Sequence, residues 1–207
     1  MTYRPTLPLV ALLILLTTAC SVLQPVPVAP ILVYRLDAPE FTTSTTLQYQ
    51  PASILIGHIR AVAGLDSNRM LYSRQLYQVE VFQQSQWQKA PAAMLMPLVT
   101  SALESSGQFQ VVLQTPNSIQ AVYRIDLEVT RLQQEFTTYP SHSRFSLRAY
   151  LSDNRTQTFI AWHEFDITIA APSEDAYGGV IASNRAVALV MHQLIAFCTE
   201  QLTRTKK

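Results

Sequence analysis

The side chains of this 207-residue chain that could do chemistry are few and widely spaced. Its two cysteines stand near opposite ends. Cys20 closes "LLILLTTAC", the exit of the most apolar run, and Cys198 lies among Leu194, Ile195, Phe197 and Leu202. Cys198 reads as a buried helix residue, since a reactive thiolate needs a cation or a helix N-terminus beside it. The four histidines, His58, His142, His163 and His192, never recur at i+2 or i+4, so spacing points to no metal centre. Asp126 with Glu128, and Glu164 with Asp166, each put two carboxylates on one face of a strand. An acid/base pair would need such neighbours beside a cleft. Interleaved with apolar residues, they read instead as the wet outer face of a sheet. No Gly-x-Ser-x-Gly elbow occurs. Gly178 and Gly179 open a helix, where backbone amides could hold a phosphate. Glu174 and Asp175 just before them would repel it, which favours a close backbone approach or a flexible entry. No catalytic residue, cofactor or metal ligand is expected.

The aromatic residues say more. Tyr72, Tyr77 and Trp87 cluster along the chain, and Trp162 falls on the strand face opposite Phe165 and Ile167. Tyr72, Trp87 and Trp162 are therefore candidates for an apolar interface with a lipid or another subunit, core filling being the competing reading.

The elements that must position these residues follow from hydrophobic period. "ILVYRLD" (31–37), "SILIGHIRAV" (53–62) and "FQVVL" (109–113) read as strands, and 68–87 as one or two more, with Tyr77, Val79 and Val81 sharing a face. Alternation is clearest in "AVYRIDLEVTRL", "SRFSLRAYLSD" and "TFIAWHEFDITI", which an antiparallel meander accounts for most simply. Between 90 and 107 the period becomes helical, with Met94, Leu95, Leu98, Val99, Ala102 and Leu103 on one face. Pro91 suits its first turn and Gly107 the position past its end, while Pro97 implies a kink or a start near 96. A last long helix begins near Ser173 or Asp175 and buries Val187, Met191, Leu194, Cys198 and Leu202. The expected fold class is α+β: a mostly antiparallel β-sheet with two main helices packed on one face.

Charge narrows the partners. Arg4 is the one basic residue ahead of Cys20, so the chain from Cys20 onward carries 14 basic and 14 acidic residues. That balance gives no long-range pull towards nucleic acid or anionic lipid. The N-terminus has Arg4, an apolar run from Leu7 to Leu16, and then Thr17, Thr18 and Ala19. Ten apolar residues are too few to span a bilayer, so the run reads as an export signal. With a cysteine directly after small residues, it resembles a bacterial lipoprotein signal, apart from Thr17, where Leu, Val or Ile is usual. The resemblance implies cleavage before Cys20 and acylation there, with palmitate among the chains; a plain cleaved signal or an uncut anchor are the other readings. "SVLQPVPVAP" (21–30) is a proline-rich tether. Ser21, in place of Asp, resembles an outer-membrane address. Three parts are thus expected: a signal peptide 1–19, a lipidated Cys20 with tether 20–30, and one α+β domain 31–207.

Four segments together resemble the ABC-type transport auxiliary lipoprotein family, which includes the PqiC-like proteins associated with MCE-domain lipid transporters. They are "YRLDAP" (34–39), "NRMLYSRQLYQVEVFQQSQWQKAPAAMLMPLVTSALESSGQFQVV" (68–112), "LEVTRLQQEF" (127–136) and "SEDAYGGVIASNRAV" (173–187). The resemblance implies a non-enzymatic outer-membrane lipoprotein on the periplasmic face. Its implied partners are an MCE-domain protein, an ABC permease and an ATPase, with phospholipid or another hydrophobic compound as cargo, and copies of the chain forming a ring. A structural lipoprotein that assists outer-membrane assembly, with no transporter partner, is the alternative. Replacement of Cys20 by Ala is expected to abolish acyl labelling and to release the domain to the soluble fraction; radiolabelled palmitate and cell fractionation check both.

Overall fold

In the computed structural model, which describes residues 29–37 and 50–205, eight strands and two helices succeed one another. They are β1 (Leu32–Tyr34), β2 (Gln50–Ala61), β3 (Arg69–Ser73), β4 (Glu80–Trp87), α1 (Pro91–Ser105), β5 (Phe109–Gln114), β6 (Tyr123–Glu135), β7 (His142–Asp153), β8 (Thr158–Ala170) and α2 (Ala176–Thr205). Residues 31–207 form one compact unit. The expected signal peptide 1–19, Cys20, the expected tether as far as Val28 and the stretch 38–49 lie outside the described residues.

Alternation builds the centre of the sheet. Tyr123, Ile125, Leu127 and Val129 of β6 are buried. The register then slips at Thr130, and Leu132 and Gln134 take over the inner side. Phe145, Leu147, Ala149 and Leu151 of β7 and Phe165 of β8 continue this face. Both helices lie against it: α1 packs on β2 and β5, α2 on β7 and β8, and the two helices touch. Val187, Met191, Leu194, Cys198 and Leu202 are fully buried, each large aliphatic among them contributing about 1.5–3 kcal/mol. Burial also pushes the Cys198 thiol up to about 12. Among the described residues α2 is the one helix long and apolar enough to cross a membrane; its apolar side is spent on the sheet.

The sheet is mixed rather than mostly antiparallel. β6 pairs along one edge with β7, antiparallel, and β7 with β8 likewise. Its other edge is shared: β2 runs parallel to Tyr123–Val129, and β3 runs parallel to Gln133–Glu135. β5 is parallel to β2, β1 is parallel to β4, and only β3 with β4 forms a further antiparallel pair. Period-2 alternation reports which face a residue takes, not the direction of the strand. Direction is legible where a tight turn joins neighbours, as at 154–157, but β3 continues along the same edge of β6 after β2, and β5 passes to β6 across β2, through loops with no hairpin signature. Residues 74–79 are a turn between β3 and β4, so Tyr77 and Val79 leave the face they were expected to share with Val81.

Local chemistry sets the helix ends. Pro91 occupies the first turn of α1, and Gly107, at φ 63°, follows its end. Pro97 lies inside α1, which runs through it; the carbonyl of Ala93 that it leaves unpaired is on the exposed side. Asp175 caps α2: its Oδ1 accepts from Gly178 N–H at 2.7 Å and from Ser173 Oγ at 2.7 Å. The Gly178 amide, followed by the Ser173 hydroxyl, holds this carboxyl below its ordinary value.

Gly178 and Gly179 are explained by proximity. A Cβ at 178 would collide with the backbone carbonyl of Ser173, and one at 179 with the side-chain amide of Gln134. Alanine in a helix is ordinarily better than glycine by about 0.5–1 kcal/mol, so the sign of the effect distinguishes close packing from mere flexibility. Gly178→Ala is expected to lower Tm, by about 2–4 °C per kcal/mol of an overpacking cost of about 1–3 kcal/mol. Gly179→Ala should cost less, because Gln134 can yield where a backbone carbonyl cannot; thermal melts of the two variants check this.

Candidate functional site

The outer face of β6, β7 and β8 collects the carboxylate pairs and answers each with arginine. Arg124 forks onto Asp126 (Nε to Oδ2 2.7 Å, Nη2 to Oδ1 2.8 Å), and the backbone N–H of His58 adds a bond of 2.7 Å to the same carboxylate. Gly57 leaves the room for this pair, since a Cβ there would strike both side chains. Arg148 reaches Glu128 at 3.4 Å and Glu164 at 3.0 Å, and its guanidinium lies 5.8 Å from the ring centre of Trp162. Arg144 forks onto Asp166, which also accepts from Ser146 Oγ at 2.8 Å. The carboxylates are thereby committed to ion pairs across the strands rather than aimed at a cleft.

The inner face ends differently. β3 joins β6 only through its last three residues, with Tyr72 beside Gln134, and the short turn 74–79 brings β4 back alongside. Phe82 of β4 then lies 4.5 Å from the Tyr72 ring centre. Phe136, the residue after β6, stands edge-on to Tyr72 at 5.8 Å and to Phe82 at 6.4 Å, fixed by its N–H donating to Ser73 C=O at 2.7 Å. Arg74 covers Tyr72 at 5.2 Å. The Tyr72 hydroxyl donates to Glu80 Oε2 at 2.7 Å, which raises its pKa. These half-buried rings wall a cleft of about 470 Å³ closed on one side by Glu174. A second hollow of about 410 Å³ adjoins it through Phe82 and Gln83, between Leu32, Tyr34 and Tyr177. Tyr34 and Tyr177 face one another at 6.1 Å.

Beneath the cleft a seam of small polar groups ties the start of α2 to the sheet. Gln134 donates to Ser141 Oγ at 2.9 Å, the Ser141 N–H donates to Glu174 Oε1 at 2.9 Å, and the hydroxyls of Ser143 and Ser183 bond at 2.6 Å. Gln134, Ser141, Ser143 and Ser183 are all buried. None of them was singled out from the sequence. The signal was present: Ser143 continues the face of Phe145 and Leu147, and Ser183 the stripe of Val187 and Met191.

The three aromatic candidates separate. Tyr72 lines the cleft. Trp87 is 3% exposed and fills the core, so it offers no surface. Trp162 is 56% exposed but on the outer face, opposite Tyr150 and thence Asp126. That is eight residues from Gln134 along β6, about 27 Å at a strand's rise. The cleft gathers Tyr72 with Phe82, Phe136 and Glu174, and the adjoining hollow adds Tyr34 and Tyr177, so that together they draw on each of the four segments quoted above. Its apolar walls, one cation and one carboxylate suit an apolar side chain or an alkyl segment more than a polar metabolite. Among the described residues no three His, Cys, Asp or Glu side chains gather as metal ligands would.

A family model described as the ABC-type transport auxiliary lipoprotein component matches residues 34–195. Among solved structures, protein XCC0632 from Xanthomonas campestris, of the family DUF330, is similar at TM-score 0.77 and 18% identity, covering 84% of this chain and 98% of that one. A second, described as an uncharacterized protein, is similar at TM-score 0.65 and 13% identity, covering 82% and 99%. At such identities these likenesses establish a shared fold. No curated protein matches the chain.

The outer-face pairs make stability sensitive to acid. Hydrogen bonds from Arg144, helped by Ser146, hold the Asp166 carboxyl down at about 2, against about 3.9 for a free Asp. A depressed folded pKa contributes stability above about pH 4, lost as pH falls towards 2. Both side chains are over a third exposed (35% and 39%), so screening limits the gain to about 1 kcal/mol. Asp166→Asn is expected to lower Tm by about 2–4 °C at pH 7 and to melt with the native chain near pH 2; melts across that range check it.

Proposed function

Because the chain belongs to the ABC-type transport auxiliary lipoprotein family, we propose that it is a non-enzymatic accessory subunit of an MCE-type ABC transporter moving phospholipid or another hydrophobic compound. In this reading acylated Cys20 holds it on the periplasmic face of the outer membrane, and the proline-rich tether links that anchor to the domain. The aromatic cleft is where it meets the MCE-domain protein. The observation that carries the reading is the convergence of four dispersed segments on the cleft and the hollow that adjoins it. Residues needed only for folding would be spread through the core, whereas Tyr72, Phe82 and Phe136 remain half-exposed at a rim. Assembly of copies belongs to the same reading, since β8 is paired with β7 along one side and offers its other edge to a neighbour.

Crosslinking followed by affinity recovery of the full-length chain from membranes tests it. The native chain is expected to bring down an MCE-domain protein, a permease and an ATPase. A Tyr72→Ala, Phe136→Ala chain should recover about tenfold less, the effect of removing a well-packed aromatic anchor, while keeping its acyl group and melting cooperatively. Recovery of outer-membrane assembly factors without any MCE-domain protein would overturn the proposal in favour of a structural lipoprotein.

A further inference from the structure

One pole of the domain is apolar in a way that neither the core nor the cleft explains. β3 and β6 run parallel and end level, Ser73 beside Glu135. The turn 74–79 and the turn 136–141 therefore leave the sheet at the same end, and the first carries three strongly exposed apolar side chains. Leu76 is 77% exposed, Val79 is 61% exposed and Tyr77 is fully exposed. The second carries Tyr139, 89% exposed. Tyr77 also sits at φ 67°, a conformation that glycine or asparagine would adopt with less strain. The turn around it is closed by bonds of its own: Ser73 Oγ to Gln75 C=O at 2.8 Å, Gln78 N–H to Gln75 C=O at 3.3 Å, and Gln75 to Gln78 through their side chains. Thr138 and the His142 ring, 3.1 Å apart, steady the other turn. Between them the two turns hold one charged residue, Arg74, and it is positive.

The direction of β1 says what faces this pole. β1 runs parallel to β4, which leads away from the pole, so Leu32 is the pole-facing end of β1. Leu32 stands beside Ser85, five residues below Glu80, or about 17 Å at a strand's rise. It lies twelve positions after Cys20, enough for about 40 Å of extended chain. We propose that Leu76, Tyr77, Val79 and Tyr139 seat this pole in the interfacial layer of the membrane that carries the Cys20 anchor, the partner being a phospholipid surface. Tyrosine prefers that layer because its ring is apolar and its hydroxyl can stay with headgroups and water. A single anchor point leaves a domain free to tumble; a second contact fixes which end of the sheet looks into the periplasm. The inference rests on Cys20 being acylated, as proposed above.

The test uses the full-length, acylated chain in vesicles of phosphatidylethanolamine and phosphatidylglycerol. Tyr77→Cys, Tyr139→Cys and, at the opposite pole, Phe159→Cys are each labelled with an environment-sensitive fluorophore, the buried Cys198 remaining unlabelled. Intact mass reads acylation separately. The expected result is emission shifted to the blue and quenched by doxyl-labelled lipid at 77 and 139, with water-like emission at 159. Water-like emission at 77 and 139 in a chain of acylated mass overturns the seat and leaves the anchor standing. A blue shift that doxyl lipid does not quench means a protein contact and also overturns it. Equal quenching at 159 removes the assigned orientation. A chain of unacylated mass overturns the anchor, and the seat with it.

Discussion

Everything in the domain hangs on β6 being hydrogen-bonded along both edges. Thirteen residues long, it takes β7 along one side for its whole length and divides the other between β2 and β3. Such a strand must be sorted by side-chain parity: alternate residues are committed to the helices, and the remainder to water. The slip at Thr130 changes which parity faces inward, and it falls where β2 ends and β3 has not yet begun. Below it the inner face is hydrocarbon; above it that face carries Gln134 and then Phe136. The polar seam and the aromatic cleft are thus both products of one extra residue in one strand.

The faces of this fold were legible, and its strand directions were legible in the antiparallel run of β6, β7 and β8 but not beyond it. Alternation in β6, β7 and β8 identified the buried set, down to Trp162 pointing away from Phe165. Helical spacing identified Leu95, Val99 and Leu103 in α1 and Met191, Leu194 and Cys198 in α2, because both signals are local and periodic. The parallel course of β2, β3 and β5 depends on where loops deliver the chain, and nothing in 62–68 or 115–122 encodes that delivery. Trp87 shows a related limit. Its neighbours in sequence suggested a surface cluster, but the register between β3 and β4 shifts between Leu71↔Val81 and Arg69↔Gln86, which breaks the alternation after Phe82 and brings Trp87 into the core; such an irregularity leaves no periodic mark in the sequence.

The cleft was half legible. Tyr72 was recognised as part of an aromatic run, yet Phe82, Phe136, Tyr34 and Tyr177 become its neighbours only through pairings between distant segments. Glu174 and Asp175 were read as anion-repelling residues ahead of a helix. In the fold they hold that helix in place, one through the amide of Ser141 and the other through the amide of Gly178. The family resemblance, drawn from four separated stretches, pointed to the same spot without describing it.

The joint between β3 and β6 has a mechanical meaning. Three paired positions hold β3 to β6, whereas pairing between β6 and β7 extends from Tyr123 to Glu135. β1, β4 and β3 are tied to β6 at that narrow end, and elsewhere through side chains: Trp87 lies in the core, and the N–H of Asp37, just beyond β1, donates to Asn184 of α2 at 2.6 Å. The two walls of the cleft stand on either side of this joint, Phe82 on β4 and Phe136 just after β6. An apolar group seated in the hollow therefore acts as a dowel, gripping both sides of a seam that the backbone closes with three paired positions.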